Sequence, residues 1–179
     1  MIYWGVKSTN ILLNHDWSAK LATFGHSLIS PLTHEHETCD VTNHAFGTLG
    51  CMDPLSKRPG FMTMEFDIYS FGVVLLEILC GASTFLIDKH GGHYPSDFIK
   101  NKLEEGKYEE VVFEQIREQI DPKSVTAFQK IAYRCLHRER EEPLSTKEVL
   151  MQLQKALAYQ VTHYNIMKQC SCRCNNICW

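Results

Sequence analysis

The chain has 179 residues, 44% of them hydrophobic and 22% charged, which is the make-up of one ordinary globular domain and excludes a disordered or fibrous chain. Eighteen Lys and Arg against 21 Asp and Glu leave a net charge of −3 with no basic stripe, which argues against nucleic-acid and anionic-membrane surfaces, because both need clustered cations. The longest apolar run, Phe71 to Cys80, is interrupted by Glu77 and is about half of a bilayer span, so no membrane span is expected.

In chain order, the first pattern is Val6-Lys7-Ser8-Thr9-Asn10-Ile11-Leu12-Leu13, a polar loop with Lys and Asn three apart that runs into a short apolar strand. Met1 opens directly onto it, and no signal peptide is expected. Ile11-Leu12-Leu13 and Ala19-Lys20-Leu21-Ala22 read as the two strands of a hairpin around the turn residues Asn14-His15-Asp16. Thr23-Phe24-Gly25 follows thirteen residues past Asn10. From Gly25 to Leu55 no period of two or 3.6 persists, and the segment reads as a polar loop. Its hydroxyls Ser27, Ser30, Thr33, Thr38, Thr42 and Thr48 are candidate phosphoacceptors, against the simpler reading of exposed loop hydroxyls. His34, His36, Cys39 and His44 lack the matched second pair of a zinc site and read as solvated loop.

From about Phe66 to Leu79 apolar residues crowd every face, the signature of a buried helix. Asp67 at its start suits the positive end of the helix dipole, and Glu77 needs a partner or a wet edge. Gly91-Gly92 marks a loop, and a helix is expected from near Ser96 to just before Gly106. Another runs from about Ser124 to His137, with Val125, Phe128, Ile131, Ala132 and Cys135 on one face. The last opens on the capping box Ser145-Thr146-Lys147-Glu148 and carries the stripe Val149, Leu150, Leu153, Ala156 and Leu157. Cys39, Cys51, Cys80 and Cys135 are scattered singly and read as reduced, mostly buried thiols. Cys170, Cys172, Cys174 and Cys178 crowd the end; residues 161–179 read as a disordered tail, and a soft-metal thiolate site is the alternative.

The opening loop resembles the catalytic loop of protein kinases, in which H-R-D precedes the Lys and the Asn. Thr23-Phe24-Gly25 stands at the spacing of D-F-G. Gly47-Thr48-Leu49-Gly50 and Asp53-Pro54 resemble the end of an activation segment, and Asp67-Ile68-Tyr69-Ser70-Phe71-Gly72-Val73-Val74-Leu75 resembles the start of the central buried helix. The wording is similar to that of plant receptor-like serine/threonine kinases, in the branch with malectin-like ectodomains. The resemblance covers residues 3–160. It implies a mainly α fold: the C-terminal lobe of a kinase-like domain over residues 1–160, with a small β-hairpin at its N-terminal edge. The N-lobe, with its glycine-rich loop and the lysine of V-A-I-K, is absent from the chain and would precede Met1.

The resemblance also implies roles. The base position is Gly5, which has no side chain, and general-base assistance is worth roughly 10²- to 10⁴-fold. The D-F-G metal ligand is Thr23, a neutral hydroxyl where a hard dication wants a carboxylate. Asn10 and Lys7 remain, as a neutral oxygen and a phosphate-reaching cation. Asp67 is expected to be structural, bonding the amides of the H-R-D turn, here Tyr3-Trp4-Gly5. The family's Glu–Arg pair that ties the activation segment to the last helix reads Leu55 and Pro143-Leu144, so both charges are gone together.

The expected function is therefore a catalytically inactive kinase-like binding module. No cofactor or metal is expected, with Mg and ATP entering only if the family activity survives. Its expected partner is a full-length kinase or another protein, met through an exposed C-lobe surface on the cytoplasmic side. Part of the central helix is expected to lie bare. The alternatives are a partial chain of an ATP-dependent receptor-like serine/threonine kinase, and a thiol-rich metal binder.

Overall fold

The computed structural model of the chain describes residues 2–27, 39–40, 48, 50–51, 53, 61–62, 64–82, 101–102, 104–136 and 144–174. Its elements are β1 (Ile11–Leu13), β2 (Ala19–Leu21), β3 (Cys39–Asp40), β4 (Phe61–Met62), α1 (Met64–Cys80), α2 (Tyr108–Val111), α3 (Glu114–Arg117), α4 (Pro122–Leu136) and α5 (Thr146–Cys174). The fold is mainly α, as a kinase-like C-terminal lobe requires.

α1 is the axis. Its buried residues run from Phe66 through Leu79 on every face, so it is enclosed on all sides where neighbours are present. α4 packs against both α1 and α5. Gly72 permits the α1–α4 crossing: a Cβ there would stand 2.6 Å from the Cys135 Cβ and 3.3 Å from the Ala132 carbonyl oxygen. Leu76, Leu79, Ile131, Ala132, Cys135 and Val149 fill the core between the three helices. α1 ends at Gly81, whose φ of +64° is a left-handed cap that only glycine adopts freely. The Phe113 ring closes over that cap and its amide donates to the Leu79 carbonyl at 2.8 Å.

α4 starts two residues earlier than its apolar stripe suggests. Asp121 Oδ1 accepts from the amides of Lys123 (2.8 Å) and Ser124 (3.0 Å), and Pro122 occupies the first helical position, where its missing N–H costs nothing. The buried Ser124 hydroxyl reaches across to the Ala156 carbonyl of α5 at 2.8 Å. At the α5 start Ser145 Oγ accepts from the Glu148 amide at 3.2 Å, while the Glu148 carboxylate pairs with Arg134 of α4. Leu144 packs against the core. Leu55 and Pro143 lie outside the described residues.

Two expectations are corrected. The tail expected to be disordered from residue 161 is helical through Cys174, so the 160/161 boundary falls inside α5. No Gly or Pro interrupts Lys147–Cys174. The Gln160 side chain also clasps the turn before α4, accepting from the Asp121 amide (2.9 Å) and donating to the Gln119 carbonyl (3.0 Å). Second, the apolar stripe expected on the last helix is only partly buried: Val149 and Ala156 are buried, while Leu150 and Leu157 are exposed; bare apolar surface also lies on the hairpin at Leu12, Leu13, Leu21 and the 81%-exposed Trp17, and on α1 at Ile78, as expected there. The four-residue helices α2 and α3 have no apolar period to announce them in the sequence. Residues 101, 102 and 104 are helical and the chain turns at Gly106, as expected; the start near Ser96 lies outside the described residues.

β1 and β2 pair antiparallel with Leu13 opposite Ala19. Their turn is held by Asn14, whose Oδ1 accepts from the amides of Asp16 (3.1 Å) and Ser18 (2.8 Å).

Candidate functional site

The site lies where the segment before the hairpin meets the start of α1. Asp67 Oδ2 accepts from the Tyr3 amide at 2.6 Å, and its Oδ1 accepts from the Trp4 amide at 2.8 Å. This clasp fixes Trp4 at a φ of +50°. Left-handed backbone costs a non-glycine residue about 1–2 kcal/mol, while hydrogen bonds to a charged group contribute about 1.5–3 kcal/mol each, so the clasp outweighs the strain. Burial raises the Asp67 carboxyl above the ordinary carboxylate range, and the two amides pull it back only in part.

Tyr3 is the hub that sequence reading missed, since it registers there only as a lost histidine. Its ring lies 5.1 Å from that of Phe24 at 60°, its hydroxyl donates to the Ala22 carbonyl, and its own carbonyl accepts from Ser27 Oγ at 3.0 Å. Burial and the neighbouring Asp67 charge raise the phenol, which stays protonated as the donor these contacts need. The signal for it is the pair of aromatics, Tyr3 and Phe24, in positions the fold brings together.

Tyr3 also decides what Gly5 can do. A Cβ on Gly5 would stand 3.1 Å from Tyr3 Cζ and 3.4 Å from its hydroxyl oxygen, so a side chain there would crowd the phenol and push it by a few tenths of an ångström. The buried Asn10 donates from Nδ2 to the Gly5 carbonyl at 2.9 Å, and its own carbonyl accepts from the Ala22 amide at 2.9 Å. Lys7 Nζ donates to Thr48 Oγ1 at 3.0 Å, which ties the loop to the segment before α1. Thr23 is exposed with φ 64° and ψ 62°. That is a genuine outlier for a β-branched residue. Gly5, Asn10, Asp67 and the Thr23 backbone thus share one hydrogen-bonded neighbourhood, with Lys7 turned toward Thr48.

This donor set does not fit magnesium-bound triphosphate. Hard dications are held through carboxylates. Gly5 supplies nothing, Thr23 a neutral hydroxyl, Asn10 a neutral amide oxygen, and the Asp67 carboxylate is engaged with the Tyr3 and Trp4 amides. Among the described residues no group of three or more His, Cys, Asp and Glu is placed to hold a metal. Nor is any described helix long and apolar enough to cross a membrane. His34, His36, His44 and Cys178, the hydroxyls of Ser30, Thr33, Thr38 and Thr42, and the side chains of Cys39, Cys170, Cys172 and Cys174 lie outside what is described. Cys51 and Cys135 are buried and Cys80 half-buried, none of them in a disulfide.

Comparison with known proteins follows this geometry. The protein kinase domain family matches residues 1–157. Wall-associated receptor kinase 5 of Arabidopsis thaliana is 32% identical over 166 residues, which cover 92% of this chain and 22% of that protein. Wall-associated receptor kinase 3 is 32% identical over 165 residues, 91% of this chain and 22% of that protein, and wall-associated receptor kinase-like 10 is 32% identical over 155 residues, 86% and 20% respectively, both from the same plant. The chain spans about a fifth of the length of these curated relatives.

Proposed function

The chain belongs to the protein kinase domain family, and from that premise we propose that it is a kinase-like binding module that does not transfer phosphate. The observation that carries this reading is Gly5: the base position has no side chain, and one placed there would crowd the Tyr3 phenol at 3.1 Å. Thr23 adds the loss of the metal carboxylate. Phosphoryl transfer asks the protein mainly for positioning and charge neutralisation, so the absence of both carboxylates removes what the fold would supply. The module acts on the cytoplasmic side, and its partner is a full-length kinase or another protein.

A second reading, one segment of an ATP-dependent receptor-like serine/threonine kinase, is favoured by a separate observation. The backbone of the site is kept, with Asp67 clasping its turn, Asn10 anchored, and Thr23 left-handed. Even in that setting Gly5 and Thr23 leave the base and metal positions without carboxylates.

Thermal unfolding of the chain titrated with Mg and ATP tests the reading. A nucleotide held at about 100 times its Kd would stabilise by about 2.7 kcal/mol. No saturable shift is expected. A saturable stabilisation at sub-millimolar nucleotide, or transfer of label to a peptide by protein free of other kinases, overturns it.

A further inference from the structure

We propose that the outer face of α4 is a docking surface for an acidic protein segment bearing an apolar anchor side chain. It gives the binding-module reading a surface and a partner chemistry, and rests on that reading. A groove of about 700 Å³ opens between residues 106–117 and α4. Val112, Ile120 and Val125 give it apolar lining, the 1%-exposed Gln129 adds a polar one, and Lys107, Arg117 and Lys130 bring positive charge. A second hollow of about 360 Å³ shares Pro122, Thr126 and Lys130 with it and adds Lys123 and Lys155. Five cations therefore line one connected surface on a chain whose net charge is −3, and Glu110 is the one carboxylate among the lining residues.

Only part of that charge is cancelled locally. Glu110 is taken by Lys102 at 2.7 Å, and Lys107 pairs with Glu105 at 2.8 Å. Among the described residues Arg117, Lys123, Lys130 and Lys155 enter no ion pair. Arg117 is instead fixed beside the groove by donating from Nη2 to the Val112 carbonyl at 3.1 Å.

Shape and chemistry select the occupant. A lone phosphate would leave most of the groove unfilled, and a bilayer meets a flat or convex face rather than a hollow. Nucleic acid would call for stacking aromatics, and Tyr159 alone lines this surface. An extended peptide with one apolar side chain among carboxylates matches both features: the anchor supplies affinity in the groove, and the charges supply steering and orientation.

The test is fluorescence polarisation of the full chain with a labelled glutamate-rich peptide carrying a central leucine. Controls are a lysine-rich counterpart and a version with serine for leucine. Saturable binding of the acidic peptide is expected, weakened several-fold by serine and by raised salt. Lys123→Glu, Lys130→Glu and Lys155→Glu combined should weaken it about tenfold or more, because like charges then face each other. All three lysines are exposed, so unfolding midpoints should stay put; the corresponding Gln variants, with a smaller loss expected, serve if they do not. Equal binding of the lysine peptide, insensitivity to the substitutions, or lysine-dependent binding to phosphatidylserine vesicles without peptide binding would overturn the proposal. The nucleotide titration reports a different part of the chain, so either idea can fail alone.

Discussion

Replacing Gly72 by Ala separates packing from intrinsic helix preference by the sign of its effect. In an exposed helix Ala is more favourable than Gly by about 1 kcal/mol. Here the new Cβ would stand 2.6 Å from the Cys135 Cβ, whereas carbons rest about 3.5–4.0 Å apart. Neither Cys135 Cβ nor the Ala132 carbonyl, at 3.3 Å, can rotate away, so α1 and α4 must part by roughly 1 Å. Overpacking of this kind costs about 1–3 kcal/mol, and the rigid neighbours put it at the upper end. The net expectation is a loss of about 2 kcal/mol once the propensity gain is subtracted. Urea unfolding followed by far-UV circular dichroism measures it, with the slope checked for constancy. Cys135→Gly in the same background removes the opposing Cβ and should recover about 1–2 kcal/mol as a coupling term in the double-mutant cycle. Stabilisation by Gly72→Ala, or additivity of the pair, would refute the close crossing on which the three-helix core is built.

Asp67→Ala should cost about 2–4 kcal/mol, because the Tyr3 and Trp4 amides lose their acceptor and Trp4 keeps its strained φ. Since burial raises the Asp67 carboxyl, its contribution is greatest below the ordinary carboxylate pKa and declines as pH rises through the folded value; the stability of wild type relative to Asp67→Asn should fall over that window, and a rise would contradict the sign. Cys80, with its pKa pushed up to about 11 by burial, should react with iodoacetamide at pH 8 roughly a hundred times more slowly than an unperturbed thiol. Peptide mass spectrometry over a time course reads that ratio, and a rate near that of free cysteine refutes it. Thr23→Gly should stabilise the chain by about 1 kcal/mol by relieving a left-handed β-branched residue, so a lower unfolding midpoint would show that the hydroxyl holds something.

Much of the fold was legible because it is written in local patterns. All-round apolarity marked α1, the stripe from Val125 to Cys135 marked α4, and Ser145 marked the start of α5. What escaped depends on contacts far apart in sequence or on signals outside the apolar stripe. Asp121-Pro122 is a cap followed by a first-position proline, readable but overlooked beside the stronger stripe. The continuation of α5 past residue 160 follows from an uninterrupted helix-compatible run and from Gln160 meeting the turn at Asp121, 39 residues away. Tyr3 was legible only as a missing motif residue, because its contacts with Phe24, Ala22 and Ser27 exist only after folding.

The site holds its backbone more firmly than its side-chain chemistry requires. Gly5 and Thr23 carry no carboxylate, yet the backbone around them is held in place by hydrogen bonds from Asn10, Tyr3 and Asp67. Thr23 is the sharper case: Asp and Asn tolerate left-handed backbone through their short polar side chains, whereas threonine's branched Cβ does not. Strain of that kind persists only where the surroundings over-determine it. Here they do. The Ala22 amide is held by the Asn10 carbonyl, the Ala22 carbonyl by the Tyr3 hydroxyl, and the Tyr3 and Trp4 amides by Asp67, so the backbone on the N-terminal side of Thr23 is fixed. Those bonds are also what hold the hairpin and the opening segment onto α1. The strained geometry at Thr23 therefore cannot relax without cost, because the contacts that hold it are the same ones that fasten the hairpin and the opening segment to α1.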